Sequence, residues 1–362
     1  MLGIYSYNTA ENIRIHKERR DLMFIPNRVI FEKDALNYEL GKNLYERFSS
    51  DNSIEFIETS SNRIKSHIPG DNLNIQYKNG KKTLVVGIKK SLKFQSCKPS
   101  AHYQLPLYSG CMGQCEYCYL NTQLGDKPFV KVHVNVDEIL NQAKKHIIER
   151  SPSITIFEGA ATSDPLPLEP YTHSLGKTIE FIAKEEYGRF RFVSKYTDVD
   201  SLLNIKHNNH TELRFSLNTE TIINSYEHLT ASAKLRIEAA SKLAEVNYPI
   251  GFIIAPVFIY PNWKDEYHKL LVSLKDALPK DLKHPVIFEV ISHRYTSRAK
   301  NRILEIFPET TLPMDENNRK FKYGQFGYGK YVYPKEELAE MKEFFTNEFN
   351  NLFPNKNVKY II

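Results

Sequence analysis

Leu213-Arg214-Phe215-Ser216-Leu217, a helix-length stretch from Ser232 to Val246, then Gly251-Phe252-Ile253-Ile254-Ala255-Pro256-Val257: this succession decides the fold. The two outer runs are short and rich in branched and aromatic residues, while the middle one carries apolar residues at helical spacing. A helix between two strands returns the chain to the end where it began, so the strands pair in parallel through a right-handed crossover. Working outward, the same pattern recurs. Strands are expected at Thr83 to Ile88, Ile154 to Glu158, Phe190 to Ser194 and Val286 to Ile291. Helices are expected at Val136 to Glu149, Tyr171 to Glu186, Val199 to His207, Trp263 to Ala277 and Ala299 to Ile306. Six such units are too few for a closed eight-stranded barrel. The expected fold is therefore α/β, a partial (β/α)6 TIM-like barrel with its chemistry at the C-terminal strand ends.

The flanks read differently. Residues 1–23 carry a basic run, Lys17 to Arg20, and form an N-terminal extension. Residues 24–82 read as a small N-terminal α/β lobe, with Val29-Ile30-Phe31 and Ile54 to Ile57 as strands and Asp34 to Phe48 as a helix. Ser60 to Asn79 turns polar and reads as a surface loop. The partial barrel is expected over 83–310. In 311–362 Lys320, Lys322, Tyr323, Phe326, Lys330 and Tyr331 alternate around Gly324, Gly327 and Gly329, a β-hairpin that either touches a nucleic-acid strand or forms a solvated edge. A helix from Pro334 to Phe349 follows.

Hydrophobic residues make up 41% of the 362, enough for a substantial core, so a disordered chain is excluded. The net charge of +6 permits a polyanionic partner without demanding one. No apolar run has the length of a signal peptide or a membrane span, and a soluble, cytoplasmic protein is expected.

Four cysteines are too few for a disulfide scaffold, and three of them crowd into Cys111-Met112-Gly113-Gln114-Cys115-Glu116-Tyr117-Cys118-Tyr119. Three thiolates from one loop suit a 4Fe-4S cluster with one iron left open. That iron has room for the amino and carboxylate groups of S-adenosylmethionine, whose reductive cleavage gives a 5'-deoxyadenosyl radical. The competing reading is zinc, with His102 or His133 as fourth ligand, although zinc sites prefer paired cysteines and no second pair exists.

Ser109-Gly110-Cys111 through Leu120, with Lys127-Pro128 and Val134-Asn135-Val136, resembles the cluster loop of the spore photoproduct lyase family. The likeness continues through Ile68-Pro69-Gly70, Thr162-Ser163-Asp164, Arg191-Phe192-Val193, Arg214-Phe215-Ser216, Arg236 to Ala240 and Gly251-Phe252-Ile253, and spans roughly residues 24 to 360. The resemblance implies a radical enzyme acting on 5-thyminyl-5,6-dihydrothymine, the spore photoproduct, in DNA. The adenosyl radical takes a hydrogen from the lesion, the bridging carbon bond breaks, and a product radical waits to be quenched. It further implies cofactor contacts at Ser163, Lys195, Ser216 and Ala255 with Tyr119 beside the cluster, and DNA contact through Arg294 and the hairpin residues Phe326, Lys330 and Tyr331. A DNA partner bearing a thymine photodimer, an electron donor such as ferredoxin or flavodoxin, a monomeric state and a place in the spore core complete what it implies.

The chain departs from the family at two places. Gln325 and Phe326 stand where the family has an Arg-Tyr pair. Ala161 stands where the common pattern has the cysteine that quenches the product radical, and alanine has no hydrogen to give. Cys97, the one cysteine outside the cluster loop, is the expected replacement, with Tyr117 and Tyr119 matching the family's tyrosine relay. Two alternatives stay open: a radical enzyme on another substrate, and a non-catalytic DNA-binding protein with a structural iron-sulfur cluster.

Overall fold

The computed structural model describes residues 24–60, 63–323 and 329–362. The first strands do not join the barrel. β1 (Arg28–Glu32), β2 (Glu55–Thr59) and β3 (Thr83–Gly87) lie parallel in a five-stranded sheet ordered β2-β1-β3-β8-β6. Its remaining members are β6 (Tyr108–Ser109) and β8 (Val130–His133). Thr83 to Ile88, expected as the first barrel strand, is thus the centre of this smaller sheet. All five residues of β3 are buried, which a continuous apolar run allows in either sheet.

The larger sheet is the curled half-barrel, ordered β17-β14-β13-β11-β10-β9-β5-β4. Its parallel members are β5 (Ala101–Gln104), β9 (Thr155–Glu158), β10 (Gly188–Ser194), β11 (Thr211–Leu217), β13 (Ile250–Val257), β14 (Val286–Ser292) and β17 (Lys356–Ile361). β4 (Ser96–Cys97) adds an antiparallel edge. The α/β partial barrel expected from the sequence is what forms. The sequence reading omits β5 and β17: Ala101-His102-Tyr103-Gln104 has little strand character, and β17 follows the helix expected to end the fold.

Period-two alternation sorts the residues of each strand. Along β10, Phe190 and Phe192 are buried in the core against the helices, while Arg191 and Val193 take the alternate, partly open positions. On that second face Val193, Ser216, Ile253, Ala255 and Ile291 line one cavity. The helices Val136–Arg150, Ala233–Glu245 and Trp263–Ala277 match their expected spans within two residues. Four further expectations fail. Asp34 to Phe48 divides into the 3-10 turn Lys33–Asn37 and the helix Glu39–Ser49, with extended Tyr38 between them. Tyr171 to Glu186 is broken at His173, whose φ of 49° interrupts it before the helix Ser174–Ile182. Val199 to His207 forms only the 3-10 turn Asp200–Leu202, and Asn208 and Asn209 follow at positive φ. Ser60 to Asn79, expected as loop, contains the helix Leu73–Lys81, capped by the Asn72 side chain on the Ile75 amide.

The hairpin expected near the C-terminus forms as β15 (Lys320–Tyr323) antiparallel to β16 (Gly329–Val332). Gln325 and Phe326 lie outside the described residues. No helix among the described residues is long and apolar enough to cross a membrane.

Candidate active site

The loop carrying the three thiols is pinned at every turn. Gly110 opens it at φ 77°, and a Cβ there would meet the Phe129 carbonyl oxygen at 1.9 Å, so only glycine fits. Its amide donates to Thr162 O at 2.8 Å, and it bridges Ser163. β7 (Gln114–Cys115) pairs antiparallel with β12 (Glu227–His228), opposing Cys115 to Glu227. Asn121 Nδ2 donates to the carbonyls of Cys115 at 3.2 Å and Glu116 at 3.1 Å, and Lys81 Nζ donates to those of Cys111 and Gly113, both at 2.8 Å. So held, Cys111, Cys115 and Cys118 face one cavity of about 370 Å³ at the C-terminal ends of the half-barrel strands.

These thiols fit a multi-iron cluster better than a single ion. Burial raises the Cys111 and Cys115 thiols, so a bound cation would be needed to favour their thiolate forms at neutral pH. His102 and His133 are engaged elsewhere: His102 Nδ1 accepts from the Ile156 amide at 3.0 Å, and His133 Nδ1 meets Pro106 O at 2.8 Å. Among the described residues no three ligating side chains converge on a single-ion site. Three thiols lining one shared cavity would suit a cluster that takes several thiolate ligands from a single loop.

Tyr119, Ser163, Lys195, Ser216, Ala255 and Arg294 line the same cavity. Lys195 directly follows β10 and is the hub. Its Nζ donates to Glu227 Oε1 at 2.7 Å, Ser216 Oγ at 3.0 Å and the Tyr117 hydroxyl at 3.2 Å. Glu227 is buried, which alone would raise its carboxyl. Arg236 at 2.6 Å and Lys195 outweigh that and hold it at about 2. Tyr117 also donates to Glu227, and Arg236 Nη1 reaches Ser216 O at 2.9 Å. Asp164, whose burial raises it to about 6, accepts from Ser194 Oγ at 2.8 Å and the Lys195 amide at 2.9 Å, fixing the strand end that carries Lys195.

Glu227 and Lys81 gave no sequence signal. Each sits in a polar stretch, and its partner lies far along the chain. Asp164 and Arg236 stand inside quoted motifs, but their function as struts is visible only in three dimensions.

Cys97 lies on the edge strand, paired with Ala101, and does not line the cavity. The Tyr119 hydroxyl donates to the Ala161 carbonyl, and its phenol is within electrostatic reach of the Cys97 thiol. Cys97 is half-buried near Glu158, and both burial and that carboxylate raise its thiol above the usual range. Behind it, Glu158, Arg191, Arg214 and Glu289 form a buried charge cluster in which Arg214 bonds both carboxylates.

Arg294 follows β14, whose neighbour His293 is buried, stacked on Phe258 at 4.5 Å and held neutral, its pKa pushed down to about 3 by burial and by Arg319. Tyr331 of the hairpin bonds Tyr295 through both backbones, at 2.7 and 3.2 Å, with the rings 5.3 Å apart. Lys330 lies near Arg294 and Lys322, for burial first and then these two cations depress its pKa. The hairpin stem and Arg294 thus form one rim.

A half-barrel with three thiols of one loop turned toward its strand ends defines the class, a radical S-adenosylmethionine enzyme. The family model described as spore photoproduct lyase matches residues 24–362. The chain belongs to that family. A spore photoproduct lyase from Clostridium acetobutylicum is 53% identical over 337 residues, covering 92% of this chain and 98% of the relative. One from Bacillus subtilis is 44% identical, covering 93% and 98%. Among solved structures, a spore photoproduct lyase variant with cysteine changed to alanine and serine to cysteine, with bound AdoMet and dinucleoside spore photoproduct, superposes with a TM-score of 0.89. It is 46% identical, covering 94% of this chain and all of the other. A spore photoproduct lyase complexed with the dinucleoside spore photoproduct also gives 0.89, at 45% identity, covering 93% and 99%.

Proposed function

We propose that this chain reverses the spore photoproduct in DNA to two thymines, with Cys97 as the hydrogen donor in place of the thiol missing at Ala161. The observation that carries it is the meeting, at one cavity, of three loop thiols, the Lys195 hub and Arg294, with the Tyr119 hydroxyl bonded to the Ala161 carbonyl and within electrostatic reach of Cys97. Cys111, Cys115 and Cys118 would hold a 4Fe-4S cluster, and Tyr119, Ser163, Lys195, Ser216 and Ala255 would hold S-adenosylmethionine. Together the two groups supply the 5'-deoxyadenosyl radical that opens the lesion.

The chain's own residues do the rest. Glu227 stays ionised because Arg236 and Lys195 flank it, and it fixes Lys195, Tyr117 and Ser216 in one register. Arg294, Lys330 and Tyr331 offer a cationic, aromatic rim that meets phosphate and base. Cys97 keeps its S–H at neutral pH because burial and Glu158 raise the thiol. The S–H bond breaks as the carbon–hydrogen bond of the product forms, and the thiyl left behind takes a hydrogen atom relayed through Tyr119 and Tyr117; the tyrosyl radical that this leaves is closed by one proton from solvent and one electron from the low-potential carrier.

The double variant among the solved structures supports the donor assignment. Its alanine and its introduced cysteine are 64 residues apart, cysteine first, the same residue types, order and spacing as Cys97 and Ala161. A low-potential carrier such as ferredoxin or flavodoxin supplies electrons, and the protein works as a cytoplasmic monomer in the spore core. The test is to reconstitute the cluster anaerobically and add S-adenosylmethionine, reductant and the dinucleoside lesion. The expected products are thymidines and 5'-deoxyadenosine; cleavage of S-adenosylmethionine without thymidine would instead indicate another substrate.

A further inference from the structure

Lys81 closes the helix Leu73–Lys81, outside the half-barrel, yet it is 2% exposed and buried beneath the thiol loop. Its Nζ has two hydrogen-bond partners, the carbonyls of Cys111 and Gly113, each at 2.8 Å, and it lies 5.2 Å from the centre of the Tyr77 ring. Among the described residues no carboxylate lies within ion-pair distance of it. A buried ammonium facing only neutral carbonyls is costly unless a negative charge sits nearby. The charge available there is that of the thiolates on the same loop. The helix grips the loop a second time without charge: the Tyr77 hydroxyl donates to Asn121 Oδ1 at 3.0 Å, and Asn121 holds the carbonyls of Cys115 and Glu116.

We propose that Lys81 is a positioning residue that also raises the reduction potential of the cluster, by fixing a positive charge against the Cys111–Gly113 turn from outside the barrel. Reduction adds one negative charge to the cluster, so a fixed cation nearby favours the reduced form. The inference rests on the cluster assignment above and adds to it a residue that touches neither cofactor nor lesion.

The test compares anaerobically reconstituted wild type, Lys81→Gln, Lys81→Arg and Tyr77→Phe by iron content and by a spectroscopic redox titration. Lys81→Gln removes the charge and keeps a donor, and Tyr77→Phe removes a bond of the same helix and no charge. Expected is full iron in each, with the reduced-to-oxidised ratio of Lys81→Gln falling about tenfold at a fixed poise, a shift of about 59 mV for a one-electron couple. Lys81→Arg and Tyr77→Phe should titrate with wild type. A wild-type potential in iron-replete Lys81→Gln overturns the proposal, and so does an equal shift in Tyr77→Phe, which marks a purely structural effect. If Lys81→Gln folds by circular dichroism but holds no iron, retention by Lys81→Arg supports the need for charge and loss by both overturns it. Wild type without iron defeats the cluster assignment itself and is distinguished from these outcomes.

Discussion

The Tyr119 hydroxyl donates its hydrogen bond to the backbone carbonyl of Ala161. One side chain therefore touches the position that lacks a thiol and lies within electrostatic reach of Cys97, the thiol that remains. If Cys97 quenches the product radical, Cys97→Ala leaves the first hydrogen abstraction intact and loses the last step. Thymidine per 5'-deoxyadenosine should fall on the order of tenfold or more, with adducts of the product radical in its place. Product analysis by chromatography and mass spectrometry checks this, and a normal thymidine ratio from Cys97→Ala sinks the assignment. Ala161→Cys in the same background should restore part of the yield, because the Ala161 backbone already meets Tyr119.

Donation requires S–H, and the surroundings of Cys97 protect it. Burial first, then the Glu158 carboxylate, raise the thiol above its ordinary 9.0. A raised thiol is less ionised than a free one at any given pH, so alkylation by iodoacetamide should be slower than for an unstructured cysteine peptide. The rate should keep climbing beyond pH 9. Peptide mapping of the cluster-loaded protein from pH 7 to 10 reads this directly, and a Cys97 that reacts as fast as the peptide at pH 8 contradicts it.

Glu227 gives a stability prediction with a definite sign. Its carboxyl falls from the ordinary 4.5 to about 2 in the folded protein, because Arg236 and Lys195 outweigh burial. A depressed carboxyl stabilises the fold above pH 4.5, and that contribution is lost as the pH falls from there toward 2. Glu227→Gln leaves two buried cations facing a neutral amide, which costs about 3–5 kcal/mol at pH 7. Urea unfolding should show that gap, and it should narrow between pH 4.5 and 2. A gap that stays constant across this range would show that packing rather than charge is responsible.

How much of this was legible in the chain depends on how local each signal is. The strand at Phe190 to Ser194 and the helix at Trp263 to Ala277 write their periodicity within one segment, so both were readable. The three cysteines were readable because a cluster needs ligands at short spacing. Thr83 to Ile88 reads as a barrel strand, yet the strand that forms, Thr83–Gly87, joins the smaller sheet, since five buried residues report burial and not the neighbour. Val199 to His207 has a helical apolar pattern, yet only one turn forms before two asparagines at positive φ redirect the chain. Lys81 and Glu227 were invisible because their meaning lies in residues 30 and 9 to 32 positions away. A buried charge leaves no mark in a sequence without its partner.

The helix that carries Lys81 supplies the last prediction. Gly80 packs against the backbone leading into β8, and a Cβ there would meet the Pro128 carbonyl oxygen at 2.0 Å. Backbone on both sides cannot yield as a flexible side chain would. Gly80→Ala gains helix propensity worth up to about 1 kcal/mol, but the clash forces the helix and strand apart at a cost of about 1–3 kcal/mol. Moving the helix also withdraws Lys81 from Cys111 and Gly113, and Tyr77 from Asn121, so the thiol loop loosens with it. The expected result is a lower melting temperature together with reduced iron retention on dilution into chelator. Lys78→Ala, on the exposed side of the same helix, should stay within about 0.5 kcal/mol of wild type and keep its iron. Gly80→Ala with wild-type melting and wild-type iron would mean that the helix does not hold the loop.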